Sequence, residues 1–244
     1  MTTARHEENT GPTEVLTPDD SVLLLIDHQI GLMQLVDDMP PEQVRNNVLG
    51  LARAAALLGV PTVVTTSRDW GPNGRVLPEL ADLFGEENII RRPGVINAYR
   101  WPEFRAAVEA VNRRKVIIAA VTTSTCLLFP SVDMLADGYD VHAVIDASGS
   151  ESPGLVVQAS VTADLARAGA RPRTWFSVVA ELNADWRRDE AAGWPLASTV
   201  VREHLPRWGY LLDTNMDYAM NRMAPPEWFV PGGQTASPDR PGHP

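Results

Sequence analysis

Short apolar runs, each about the length of one buried strand, alternate with segments of helical periodicity along most of this chain. SVLLLID (21–27) is almost continuously apolar, as a strand covered on both faces must be. VRNNVLGLARAAALLG (44–59) follows, with apolar residues at 44, 48, 51, 55 and 58 forming one helical stripe closed by Gly59. PTVVTTS (61–67), NIIRR (88–92), KVIIAAV (115–121), YDVHAVID (139–146) and RTWFSV (173–178) read as strands two to six. Between them LPELADLF, WPEFRAAVEAVNRR, STCLLFPSVDMLADG (124–138) and GLVVQASVTADLARAG (154–169) read as helices. Pro130 must kink the 124–138 helix or lie in its first turns. Strands joined by helices of this length imply βαβ units. The expectation is an α/β fold: a three-layer, doubly wound, mostly parallel six-stranded sheet in the order 3-2-1-4-5-6.

That pattern covers residues 21–222, with further helices over 180–222 suited to a contact between subunits. Residues 1–20 read as a mobile arm and residues 223–244 as a Pro/Gly-rich tail. Trp228, Phe229 and Val230 in that tail suit packing on a neighbouring subunit. A formal net charge of −10 argues against a nucleic-acid partner and disfavours an anionic membrane surface. No apolar run is long enough to span a bilayer. The first twenty residues are polar and acidic, without the apolar stretch of a signal peptide, which points to the cytoplasm.

Cys126 is the only cysteine, so no disulfide forms within the chain. In an open doubly wound sheet, ligands bind beyond the carboxyl ends of the strands where the strand order reverses. Strands one and four flank that reversal. Strand one ends in Asp27, and strand four runs through VTTST into Cys126. A carboxylate and a thiol therefore converge on one crevice. A thiolate is favoured by a helix N-terminus and a nearby cation, and such a thiol alkylates fast at neutral pH. Ser124 is positioned to cap that helix, and the amides around Thr123 and Cys126 to meet a developing oxyanion. Asp27 would take the thiol proton and later activate water. A lone cysteine is also often a small buried apolar residue, and a strand-end aspartate a helix cap. Asp146 is read in that second way, with no chemistry assigned.

The segments LLLIDHQIGL, TTSRDWGPNG, IIRRPGVINAYR, VIIAAVTTSTCLLFP, VHAVIDASGS and TWFSVVAELNADWRR together resemble the isochorismatase-like hydrolases. That family includes nicotinamidases and carbamoylsarcosine-type amidohydrolases. The chain looks most like its bacterial branch of octameric hydrolases of unsettled substrate, in register from about residue 20 to 220. The resemblance implies an amidohydrolase with a triad of aspartate, basic residue and cysteine, here Asp27, Arg92 and Cys126. It also implies a small-molecule substrate and a homo-oligomer built from dimers, up to an octamer. The basic member is usually lysine. Lys115 is the only lysine, but it starts strand four, at the far end of the sheet, and reads as a solvated charge. Arginine holds its proton throughout the working pH range, so Arg92 would be an electrostatic member, leaving proton transfer to Asp27. Adjacent Arg91 is read as the solvated one. The family motif before the cysteine commonly carries an acidic residue where Ser124 stands. It also carries a cis peptide, placed by register between Thr122 and Thr123.

Nicotinamidases hold a metal with an aspartate and closely spaced histidines. The histidines here, at 6, 28, 142, 204 and 243, include no short-spaced pair, so no catalytic metal is expected. His28 either faces the pocket or, as strand alternation favours, packs behind it. Without GxGxxG, a P-loop or GxSxG, neither a nucleotide cofactor nor a serine nucleophile is expected. By register with the family, Asn97 and the Gly71-Pro72-Asn73-Gly74 turn, with Asn73, are pocket-lining candidates. Trp70, Tyr99 and Trp101 read equally as pocket wall or subunit interface. Two other functions fit the same residues. One is a redox-sensing thiol protein reduced by an outside thiol. The other is a non-catalytic ligand-binding oligomer.

Overall fold

The computed structural model describes residues 15–222, from residue 216 on by backbone alone. Its strands are β1 (Ser21–Ile26), β2 (Thr62–Ser67), β3 (Ile90–Arg92), β4 (Lys115–Ala120), β5 (Asp140–Val144) and β6 (Arg171–Arg173). All neighbours pair in parallel in the order β3-β2-β1-β4-β5-β6, as the alternation of strands and helices predicts. The helices are α1 (Pro41–Leu57), α2 (Pro78–Phe84), α3 (Pro102–Val111), α4 (Leu128–Ala136) and α5 (Val156–Ala168). After β6 come α6 (Trp175–Asn183), α7 (Trp186–Ala191), α8 (Arg202–His204) and α9 (Pro206–Arg222). None of these helices, among the described residues, is long and apolar enough to cross a membrane.

Successive side chains of the central strands enter two different cores. Leu23, Leu25, Ile117 and Ala119 pack with Val44, Val48 and Leu51 of α1 and with Trp175, Val178 and Leu182 of α6. Val22, Leu24, Ile26, Val116 and Ile118 pack on the opposite face with Phe104 and Val108 of α3, Met134 of α4 and Leu165 of α5. Both faces are covered, so β1 and β4 have no polar side to show. The stripe read over 44–59 is α1, which begins already at Pro41, a residue with no N–H to leave unpaired. Gly50 sits on its inner face so close to α6 that a Cβ there would lie 2.9 Å from the Trp175 ring.

The structure corrects two sequence expectations at this level. The sixth strand covers only Arg171–Arg173, and TWFSV belongs to α6. Thr174 and Ser177 form a capping box at the start of α6, and Trp175, Val178, Val179 and Leu182 then meet α1 at helical spacing. Lys115 is buried, not solvated, its Nζ donating to Val15 O and Asp20 Oδ2, both at 2.7 Å. The reason is that residues 15–20 lie over the start of β4. Leu16 is buried in the first core and its N–H donates to Glu181 Oε1 at 2.9 Å. Residues 1–14 and the tail 223–244, with Trp228, Phe229 and Val230, lie outside the described residues.

Candidate active site

The strand order reverses between β1 and β4, and Asp27 and Cys126 stand at that crevice. Asp27 follows β1 in a left-handed conformation, φ 61°, that few non-glycine residues adopt. Its N–H donates to Thr65 O at 2.9 Å and its carbonyl accepts from Gln29, which pins the turn. Arg92 ends β3, two strands away, and its side chain crosses the end of β2 to reach Asp27. Thr65 on β2 makes the crossing possible, its Oγ1 accepting from Arg92 Nε at 3.1 Å and donating to Ile90 O at 2.7 Å. Arg92 Nη1 donates to Val95 O, and Nη2 contacts both Asp27 carboxylate oxygens at 2.5 Å. Both side chains are almost fully buried.

Cys126 arrives from a widened turn. A continuous helix was expected over 124–138, but Thr123–Leu127 is a single π-helical turn and α4 begins at Leu128. Pro130 therefore lies in the first turn of α4, where its missing N–H costs nothing. The cis peptide lies at Val121–Thr122, one bond earlier than the register implied. Val121 still bridges to Gly149, and Thr123 N–H donates to Gly149 O at 2.8 Å, so the chain turns between those two contacts. Cys126 N–H is likewise engaged, with Thr122 O at 2.9 Å. The two amides read as oxyanion donors thus both hold internal partners.

Electrostatics at the thiol also differ from the expectation. The Arg92 charge is engaged by Asp27, so the charge that acts on Cys126 is that of a carboxylate. Burial first, and that negative charge second, push the thiol up to about 12. At that value the thiol is protonated at neutral pH. Burial also raises the Asp27 carboxyl, opposed by Arg92 beside it, which moves the group in the direction a general base requires.

A chain of hydroxyls leads away from the sulfur. Thr125 Oγ1 lies 3.5 Å from Cys126 Sγ and 2.9 Å from Thr122 Oγ1. Thr122 Oγ1 lies 3.3 Å from Ser124 Oγ, which donates to Glu151 Oε1 at 2.8 Å. Ser124 makes no capping bond. It reaches instead to the exposed Glu151, which brings a carboxylate from the loop after β5.

Asp27 and Cys126 line a cavity of about 260 Å³. Leu32, Gly94, Ile96 and Val121 form its apolar side, and Ser67, Arg68, Asn73, Thr122 and Thr125 its polar side. Of the substrate-binding candidates, Asn73 is in the lining, its Nδ2 donating to Ser67 O at 2.7 Å. His28, Asn97 and Tyr99 are not. His28 is buried behind the site with Nε2 against Ala147 O at 2.9 Å, and burial lowers its pKa to about 4. Asn97 donates to Asp133 and caps the turn at Tyr99, whose hydroxyl donates to Asp137. Trp70 is exposed and Trp101 packs on the second core. Arg91 pairs with Asp69 and Glu86 at the surface. Asp146 accepts the Trp175 N–H at 2.7 Å, anchoring the start of α6.

Sequence reasoning missed Thr65, Gln29 and Arg68. Gln29 is buried, accepting Ser67 N–H at 2.8 Å and donating to Gly74 O at 2.5 Å, which ties the end of β2 to the turn bearing Asn73. A glutamine directly after the Asp-His pair was the only available signal for it.

A parallel six-stranded sheet with a lone cysteine in its ligand crevice defines a class, the Rossmann-like α/β proteins with a thiol at the switch point. The isochorismatase domain model matches residues 21–175, and the chain belongs to the isochorismatase family. It is 39% identical over 203 residues to the probable hydrolase YcaC of Escherichia coli (strain K12), covering 83% of this chain and 95% of that protein. The crystal structure of that gene product, described as an octameric hydrolase of unknown specificity, superposes with TM-score 0.80 at 38% identity, covering 86% and 100% of the two chains. YcaC from Pseudomonas aeruginosa, solved with hexane-2,5-diol and covalent acrylamide, gives TM-score 0.78 at 40% identity, covering 83% and 98%. A cysteine hydrolase from Pseudomonas syringae pv. phaseolicola 1448A shares the fold, with TM-score 0.58 at 15% identity over 72% and 99%.

Proposed function

We propose that this chain is a cysteine-dependent hydrolase of a small amide-type substrate, with Cys126 as nucleophile, Asp27 as base and Arg92 as fixed cation. The observation carrying this reading is the buried Asp27 carboxylate, held by Arg92 and lining the same small-molecule-sized cavity as the Cys126 thiol. As sulfur attacks the carbonyl carbon, its proton passes to Asp27. The C–N bond then breaks, Asp27 returns that proton to the departing nitrogen, and an acyl group remains on sulfur. Water next attacks the thioester, giving its proton to Asp27 and from there to sulfur, and the acid leaves. Every proton is moved by Asp27, and Arg92 beside it favours the ionised form between transfers. That the P. aeruginosa relative holds covalent acrylamide, an electrophile that adds to nucleophiles through its alkene, supports a reactive side chain in this fold.

From the octameric relative we propose that this chain too forms a homo-oligomer. A redox-sensing thiol is less well supported, because oxidation follows thiolate character and this thiol is held at about 12. The test is intact-mass spectrometry of the protein mixed with a panel of small amides and esters. Wild-type protein should gain the acyl mass, and Cys126→Ala should gain none while keeping its melting temperature. No adduct and no turnover across the panel would sink the hydrolase reading.

A further inference from the structure

We propose that Arg68 makes this pocket a receptor for amides that carry a carboxylate, a substrate class that rests on the hydrolase reading above. Arg68 follows β2 in a left-handed conformation, φ 48°. Its N–H donates to Arg92 O and its carbonyl accepts from Gly71, both at 2.9 Å, so its backbone is tied to the strand that supplies the catalytic cation. Gly94 leaves room for the side chain: a Cβ there would lie 3.0 Å from Arg68 Cδ and 3.2 Å from Cγ. The aliphatic stem therefore packs against Gly94, and both residues line the pocket.

Charge accounting then singles out its guanidinium. The one carboxylate in the lining, Asp27, is held by Arg92. Asp69, the next residue along, is taken by Arg91, which also holds Glu86. Among the described residues Arg68 has no acidic partner, although the chain carries a net charge of −10. A guanidinium in the pocket lining with no acidic partner is complementary to an anionic group on the substrate. Its planar donor fork suits a carboxylate.

The test needs no substrate, because Cys126 is the only thiol and two alkylating agents of near-equal shape differ in charge. Rates of Cys126 modification by iodoacetate and by iodoacetamide are compared by intact mass at about pH 9, where thiolate is more accessible. In Arg68→Gln the iodoacetate-to-iodoacetamide rate ratio should fall by about fivefold, and in Arg68→Lys it should hold, with added salt eroding it in the wild type. An equal ratio in wild type and Arg68→Gln overturns the proposal, as does a pocket that admits neither reagent. Alkylation is independent of turnover, so the two readings fail separately. A charge-dependent ratio without any acyl-enzyme sinks hydrolysis and leaves the anion site. Equal kcat/KM for neutral and carboxylate-bearing amides of one length sinks the anion site and leaves hydrolysis.

Discussion

Arg92 and Cys126 were expected to face one another as cation and thiolate. The structure pairs Arg92 with Asp27 instead, and the consequence is read at the sulfur. Carboxylate and burial together lift the thiol from 9.0 to about 12. The raised value means that the protonated form persists through neutral pH and the thiolate appears only as pH climbs toward that value. Alkylation of Cys126 by iodoacetamide should therefore be slow at neutral pH and rise about tenfold per pH unit up to at least pH 10, with no plateau near an ordinary thiol pKa. A rate already level at pH 8 would show a thiolate at rest and remove the need for Asp27 as base. Asp27 and Cys126 were legible because each stands at the end of an apolar run whose place in the sheet is predictable. Thr65 was not, since nothing in PTVVTTS distinguishes the hydroxyl that Arg92 crosses from its neighbours.

Among the elements, α6 shows where composition misleads. Trp, Phe and Val favour strands, and RTWFSV reads as one. The capping box at Thr174 and Ser177 starts a helix instead, and α1 offers a groove that accepts Trp175 because position 50 is glycine. Thr174→Ala should lower stability by about 1 kcal/mol, seen as a lower urea midpoint with unchanged m-value. A midpoint within error of wild type would mean that packing on α1 alone holds α6 in place. The π-helical turn at Thr123–Leu127 is a similar case. Pro130 announced an irregularity, but whether it came as a kink or a fresh helix start depended on Gly149 taking the Thr123 amide.

At the scale of the molecule, apolar side chains remain exposed on the connections that follow several strands. Ile30 follows β1, Trp70 follows β2, Ile96 follows β3, and Leu155 and Val156 follow β5. Trp70 and Val156 are 67% and 77% exposed, which a lone chain gains nothing by showing to water. This agrees with a homo-oligomer, as in the octameric relative. Light scattering in solution should accordingly give a mass several times the 26.7 kDa of one chain. A monomer at micromolar concentration would refute the assembly.

Sheet order, the two covered faces and the meeting of Asp27 with Cys126 were all contained in the order of residues. Buried parallel strands need unbroken apolar runs, crossovers have one hand, and the crevice then falls at one place. Which charge neutralises which was decided only in three dimensions. Arg92 lies 65 residues from Asp27 and two strands across, and the pairing depends on a threonine between them. The same holds for Lys115, buried by a segment that reads as free chain, and for Glu151, which meets Ser124 from another loop. Periodicity records which face of an element is buried, and it carries no record of the partner waiting there.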